Sequence, residues 1–170
     1  MPLEIERKFL VTTPGWRALA RRSQRMQQGY LIDAALVVSG QVRCSARVRI
    51  AGDAAWLNVK SAQLGPARQE YEYAIPRVDA QRMLQEFCNG SIDKTRHYVP
   101  FDGVEFEVDE FHGDNDGLIV AELELEAADQ PFTRPDWLGR EVTELARYYN
   151  LNLLHHPYSR WSASEKTGVA

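Results

Sequence analysis

Apolar and polar positions alternate with a period of two along much of this chain, the pattern of strands buried on one face. From Leu3 to Val11, one face carries Leu3, Ile5, Phe9 and Val11 and the other Glu4, Glu6, Lys8 and Leu10. Comparable runs span Gln27 to Ile32, Gln41 to Ile50, Ala54 to Lys60, Gln69 to Ile75, Ile92 to Val99, Val104 to Phe111 and Leu118 to Ala127. Ala51-Gly52-Asp53 and Asp102-Gly103 are tight-turn signals that join neighbouring runs into hairpins. Helical spacing is rarer. Thr13-Pro14 supplies a cap and a first turn, and Trp16, Leu19 and Ala20 extend that helix towards Arg25. Asp79 caps a second helix to Phe87, with Met83, Leu84 and Phe87 on one side. The stretches Pro135 to Gly139 and Glu141 to Asn150 are also predicted helical, and the end of the single domain, from about residue 155, is expected to be a loose tail. About eight strands with hairpin connections and three or four helices predict an α+β chain built on an antiparallel sheet or closed barrel.

Composition narrows the function classes. The chain has 170 residues, 44% hydrophobic and 26% charged, enough for one domain with a sizeable core. A net charge of −4 argues against a nucleic-acid partner, which calls for a basic footprint. No apolar run approaches the roughly 18 residues of a membrane span, and no signal-peptide pattern opens the sequence. Cys44 and Cys88 form neither a metal pattern nor a disulfide framework, so a reduced, cytoplasmic setting is expected.

The polar strand faces carry the candidate chemistry. Glu4, Glu6 and Lys8 share one face, as do Arg47 and Arg49. Lys60 ends the fourth run; Arg68, Glu70 and Glu72 line the fifth, Lys94 and Arg96 the sixth. Glu105, Glu107 and Asp109 follow on the seventh, and Glu122, Glu124 and Glu126 on the eighth. For one strand, a solvated face explains such alternation. Across all of them, signs are sorted by strand, and short neutral polar residues are scarce. The mixture suits a metal–phosphate complex: arginine and lysine surround phosphate oxygens, and carboxylates hold a hard divalent ion.

With those residues in hand, Glu4-Ile5-Glu6-Arg7-Lys8 resembles the ExExK signature of the CYTH superfamily, the triphosphate tunnel metalloenzymes. The resemblance continues in order through Gln28-Gly29-Tyr30-Leu31, Arg47-Val48-Arg49, Leu57-Asn58-Val59-Lys60-Ser61 and Arg68-Gln69-Glu70-Tyr71-Glu72. It then runs through Asp93-Lys94-Thr95-Arg96, Phe106-Glu107-Val108-Asp109-Glu110-Phe111, Val120-Ala121-Glu122-Leu123-Glu124-Leu125 and Trp137-Leu138-Gly139-Arg140-Glu141-Val142-Thr143 with Arg147-Tyr148. It implies an eight-stranded antiparallel barrel forming a charged tunnel, with helices packed outside. It implies Mg²⁺ or Mn²⁺ at Glu4, Glu6, Glu122 and Glu124, and phosphate contacts from Lys8, Arg47, Arg49, Lys60, Lys94 and Arg96, with Arg68 added. Glu4, Glu6 and Lys8 are the implied catalytic set, Glu4 or Glu6 orienting the attacking water. Glu70, Glu72, Glu107 and Asp109 are further tunnel acids. Small members of this length most resemble inorganic triphosphatases; class IV adenylyl cyclases, thiamine triphosphatases and a non-catalytic polyphosphate binder are the alternatives. A homodimer is expected by analogy.

Other signals carry less. Asp114-Asn115-Asp116-Gly117 fails the EF-hand spacing and reads as a turn. His155-His156 lacks a third ligand. His97 and Cys44 lie out of phase with the charged faces, Cys88 ends an amphipathic helix, and Tyr30 is left between core and tunnel. No GxxxxGK[ST] motif is present, so phosphate recognition cannot run through a P-loop.

Overall fold

A computed structural model describes residues 3–62 and 67–168. Nine strands carry the architecture: β1 (Leu3–Val11), β2 (Arg22–Tyr30), β3 (Cys44–Ala51), β4 (Ala54–Ser61), β5 (Ala67–Ala74), β6 (Ser91–Phe101), β7 (Val104–Phe111), β8 (Ile119–Glu124) and β9 (Leu138–Glu141). Short helices decorate them: α1 (Ala34–Val38), α2 (Arg77–Glu86), α3 (Asn150–His155) and α4 (Ala163–Lys166). All pairings are antiparallel, in the order β5-β4-β3-β2-β6-β7-β8-β1, and β1 pairs back to β5 through Leu3↔Gln69, Glu4↔Arg68 and Ile5↔Ala67. That seam closes an eight-stranded barrel, as expected. β9 lies outside the ring, continuing along the β1 edge that β5 leaves, through Phe9↔Glu141 and Val11↔Leu138.

Local chemistry explains the hairpins. Asp102 and Gly103 both take positive φ, 44° and 82°, as a two-residue turn matching strand twist requires between β6 and β7. Gly29 has a different reason. A Cβ there would sit 2.7 Å from Leu84 of α2, so the missing side chain lets the helix lie against β2.

The outward strand faces are apolar and covered. Val48, Ile50 and Ala55 pack with Ala80 of α2. Ile5, Phe9, Val99, Phe106, Val108, Ala121 and Leu123 pack with Trp16, Trp137 and Leu138. Inward-facing Leu10, Ile92, Phe111 and Val120, all at one end of the barrel, join Val142, Tyr148, Leu153 and Trp161 in a third buried cluster that closes that end.

Three expectations are corrected. The helix from Thr13 towards Arg25 is only a 3-10 turn over Pro14–Ala18, and β2 begins at Arg22. Its helical spacing lasted one turn, and the residues beyond pair with β6 from Arg22↔Tyr98 onwards. The helical reading of 135–150 gives way to β9 and another 3-10 turn, Ala146–Tyr148. There the free edge of β1 recruits main chain: Thr12 N donates to Trp137 O at 3.0 Å and Val142 N to Lys8 O at 2.8 Å. The expected loose tail is packed over its described part, up to Gly168, because Trp161 is 5% exposed against Tyr148 and Tyr158, and Ser162 caps α4 with Glu165. Among the described residues no helix is long and apolar enough to cross a membrane.

Candidate active site

Because β-strand side chains alternate, closing the barrel turns every charged face inward at once. The register fixes which residues meet: Lys8 stands opposite Glu122, Glu6 opposite Glu124, Arg96 opposite Asp109, and Lys60 opposite Glu70. They surround a cavity of about 830 Å³. Its wall includes Glu4, Glu6, Lys8, Arg47, Arg49, Lys60, Arg68, Glu70, Glu72, Lys94, Arg96, Glu107, Glu122 and Glu124. Every expected site residue therefore reaches this space except Asp109, which points into the barrel on the same β7 face as Glu107 and Phe111 but is fully buried off the cavity.

The charges are joined in one continuous ladder. Lys60 Nζ donates to both Glu4 oxygens, at 2.8 and 2.7 Å, and lies 3.3 Å from Glu70. Arg68 Nη2 bridges Glu4, at 3.4 Å, and Glu6. Lys8 Nζ sits 3.1 Å from Glu6 and donates to Glu122. Glu122 accepts in turn from Arg96 Nη2 at 2.6 Å, and Arg96 also reaches Glu107 and Asp109. Arg49 pairs with Glu72 at 2.8 Å, and Arg47 lies 3.7 Å from Glu70. Such pairing lets buried charges persist, since unpaired ones cost several kcal/mol each. Satisfaction is incomplete on the basic side: the Nε–H groups of Arg47, Arg49 and Arg68 are buried without an acceptor among the described residues.

The environment separates the acids. Burial, followed by repulsion from Glu6, raises Glu4 to about 7 against the pull of Lys60. Burial acts on Glu6 too, but Lys8, Lys60 and Arg68 outweigh it and hold that carboxyl at about 2. Glu122 is held well below the usual range by Lys8 and Arg96 despite its burial. Burial and the neighbouring Arg96 lower Lys94 to about 8, while Glu107 is raised by burial.

Asn58 and Tyr149 join the site without having been expected in it, and Tyr30, left open between core and tunnel, lies at the cavity. Asn58, fully buried, donates to Glu70 at 2.8 Å and Glu72 at 2.5 Å. It shares the phase of Lys60 on β4, which was the available signal. Tyr30 lines the cavity, and Gln28 donates to its hydroxyl at 3.4 Å. Tyr149 places its ring 5.3 Å from Lys8 Nζ and 5.0 Å from the Arg68 guanidinium while its hydroxyl donates to Thr143 O. No strand periodicity announces Tyr149, since it arrives from the C-terminal segment. Arg7 and His97 lie outside the barrel, with Glu141 and with Trp16 and Glu110. Asp114–Gly117 is a turn, and Cys44 and Cys88 are unpaired thiols.

Against known proteins, residues 2–156 match the CYTH domain. This chain belongs to the CYTH domain family. Among CYTH relatives it is 40% identical over 162 residues to an inorganic triphosphatase of Acetivibrio thermocellus, covering 95% of this chain and 99% of that protein. An inorganic triphosphatase of Nitrosomonas europaea is 35% identical over 150 residues, 86% of this chain and 93% of the relative. A crystal structure of an inorganic triphosphatase superposes with a TM-score of 0.62 at 32% identity, covering 88% of this chain and 96% of the other. A Hippeastrum protein first taken for an adenylyl cyclase and described as revealing a dominant triphosphatase activity aligns with a TM-score of 0.58 at 17% identity over 73% of this chain and 80% of its own. That likeness is one of fold alone.

The donor set can be compared with a divalent ion. Glu4, Glu6, Glu122 and Glu124 offer only carboxylate oxygens to the cavity, the ligand type hard cations prefer. Among the described residues no three metal-binding side chains group around one point, and Glu4, Glu6 and Glu122 each face a cation. The set fits such an ion in the chemistry of its donors.

Proposed function

We propose that this chain hydrolyses inorganic tripolyphosphate to pyrophosphate and phosphate inside the barrel, with Mg²⁺ or Mn²⁺ held by Glu4, Glu6, Glu122 and Glu124. The observation that carries the reading is the wall itself: seven basic side chains, Lys8, Arg47, Arg49, Lys60, Arg68, Lys94 and Arg96, face one cavity. The triphosphatases named above, similar over most of their length, support the same substrate class. The two unpaired thiols fit a reducing, cytoplasmic setting.

The residues act in a definable order. Entering phosphate oxygens compete with the carboxylates for the bases. Lys8 moves from Glu6 and Glu122, Arg68 from Glu4 and Glu6, and Lys60 from Glu4 to the phosphates, which frees the acids. A divalent ion held by Glu4, Glu6, Glu122 and Glu124 would supply Lewis acidity to the phosphoryl oxygens. Glu4, raised towards neutrality, orients a water at the terminal phosphorus and accepts its proton on a carboxylate oxygen. The water oxygen bonds to phosphorus, the bridging P–O bond breaks, and its electron pair leaves with pyrophosphate.

The test incubates the protein with tripolyphosphate, ATP or thiamine triphosphate plus Mg²⁺ or Mn²⁺ and measures phosphate, pyrophosphate and cyclic AMP. Phosphate and pyrophosphate from tripolyphosphate are expected to dominate. Cyclic AMP from ATP as the main product, or tight binding without turnover of any of the three, refutes the reading.

A further inference from the structure

Lys94 and Arg96 stand two residues apart on β6 and reach the same cavity, so two like charges lie side by side on one strand face. Asp109 stands directly opposite Arg96 on β7. Its Oδ1 accepts from Arg96 Nε at 2.7 Å and its Oδ2 from Nη2 at 2.7 Å, a bidentate fork that fixes the guanidinium plane. The same Oδ2 accepts from Lys94 Nζ. Among the described residues Asp109 is the one acid within hydrogen-bond reach of Lys94, whose ammonium otherwise faces the Phe111 ring at 5.6 Å.

What separates Asp109 from the other acids is its place. Glu4, Glu6, Glu107 and Glu122 line the cavity and can be displaced from their bases by an incoming anion. Asp109 is 0% exposed and does not line the cavity, although both cations it binds do. A carboxylate buried inside the barrel between Glu107, which lines the cavity, and the apolar Phe111 keeps its grip when the cavity-lining partners exchange. We propose that Asp109 is a positioning residue, holding Lys94 Nζ and the Arg96 fork towards a phosphate group without touching the substrate itself. The assignment rests on the triphosphate reading of the cavity. Partners of this kind, one step removed from the ligand, typically change affinity or activity about 10–100-fold when lost.

The experiment combines kinetics with a mutant cycle. Asp109→Asn, which keeps shape and removes charge, is expected to raise KM for tripolyphosphate about tenfold and to change kcat by less than about threefold. Calorimetric titration of tripolyphosphate without metal then compares the same change in the wild-type chain and in a Lys94→Ala/Arg96→Ala background. If Asp109 acts through the two cations, it weakens binding about tenfold in the first and less than about twofold in the second. An unchanged KM, or an equal loss in both backgrounds, overturns the assignment. Should Asp109→Asn alone fail to fold, Lys94→Met is compared with Lys94→Met/Asp109→Asn, where acid and cation leave together. Arg96 still loses its fork, so a further threefold or so weakening is expected, and no further weakening overturns it. A wild-type protein that neither binds nor hydrolyses tripolyphosphate refutes the functional reading itself, and this assignment with it. Turnover in wild type with unaltered KM in Asp109→Asn refutes positioning alone.

Discussion

Glu4 and Glu6 are two residues apart on one strand, yet their surroundings push them in opposite directions. Glu6 lies between Lys8 and Arg68 and stays ionised, whereas Glu4 is raised to about 7 by burial and by Glu6. Between the ordinary carboxyl value and about 7, folded Glu4 keeps a proton that the unfolded chain has released, so raising the pH through that window costs stability. Thermal unfolding without metal or phosphate tests this: the Tm of Glu4→Gln should gain on wild type from pH 4.5 to 7.5. A constant gap would show that Glu4 does not titrate there. In turnover the same variant should lose about 10²–10⁴-fold in kcat, the usual worth of a general base, with tripolyphosphate binding retained. Arg49→Ala is expected to act on the other parameter. It removes a charge-assisted clamp worth about 1.5–3 kcal/mol, so KM should rise tenfold or more while kcat changes little; a pure kcat effect would remove Arg49 from the substrate contacts.

Whole strands were more legible than their surroundings. β1, β4 and β7 were readable nearly to the residue, because one buried face and one charged face impose a strict period of two. β2 was misread at its start, since Trp16, Leu19 and Ala20 satisfy helical spacing for one turn and Ser23 to Arg25 give no apolar alternation. β9 had no readable signal: four residues, Leu138–Glu141, are extended because β1 beyond its seam with β5 has an open edge. That is a tertiary demand, invisible in local pattern. The same holds for the C-terminal segment, whose Trp161 fills one end of the barrel and donates its indole N–H to His156 O at 2.9 Å. Trp161→Ala should cost about 3–5 kcal/mol in denaturant unfolding, the usual range for emptying such a site. A loss within about 0.5 kcal/mol, typical of surface positions, would mean that the end is closed by other residues. For the site, strand phase revealed the ladder residues, whereas Tyr149 depends on how α3 docks and could not be read.

At the scale of the molecule, the barrel's charges hold one another with bonds that a triphosphate would have to replace. Tripolyphosphate should therefore stabilise the fold strongly. At one hundred times its dissociation constant the gain is about 2.7 kcal/mol, or roughly 5–10 °C in Tm for a chain of this size. A Tm unmoved by tripolyphosphate, alone and with Mg²⁺, would place binding elsewhere or nowhere. Closure of the ring depends on three register pairs between β1 and β5, and β1 also pairs with β8 and β9. On a ribosome β1 is made before every other strand of the barrel, but the last of its partners ends at Glu141. At about 5–20 residues per second, it waits on the order of ten seconds before both its edges are satisfied. Glu6 and Lys8 are already synthesised long before Glu122 and Glu124, which stand opposite them in the register. The first strand translated is thus the last one completed, and the newborn chain acquires its chemistry only at the end of its own assembly.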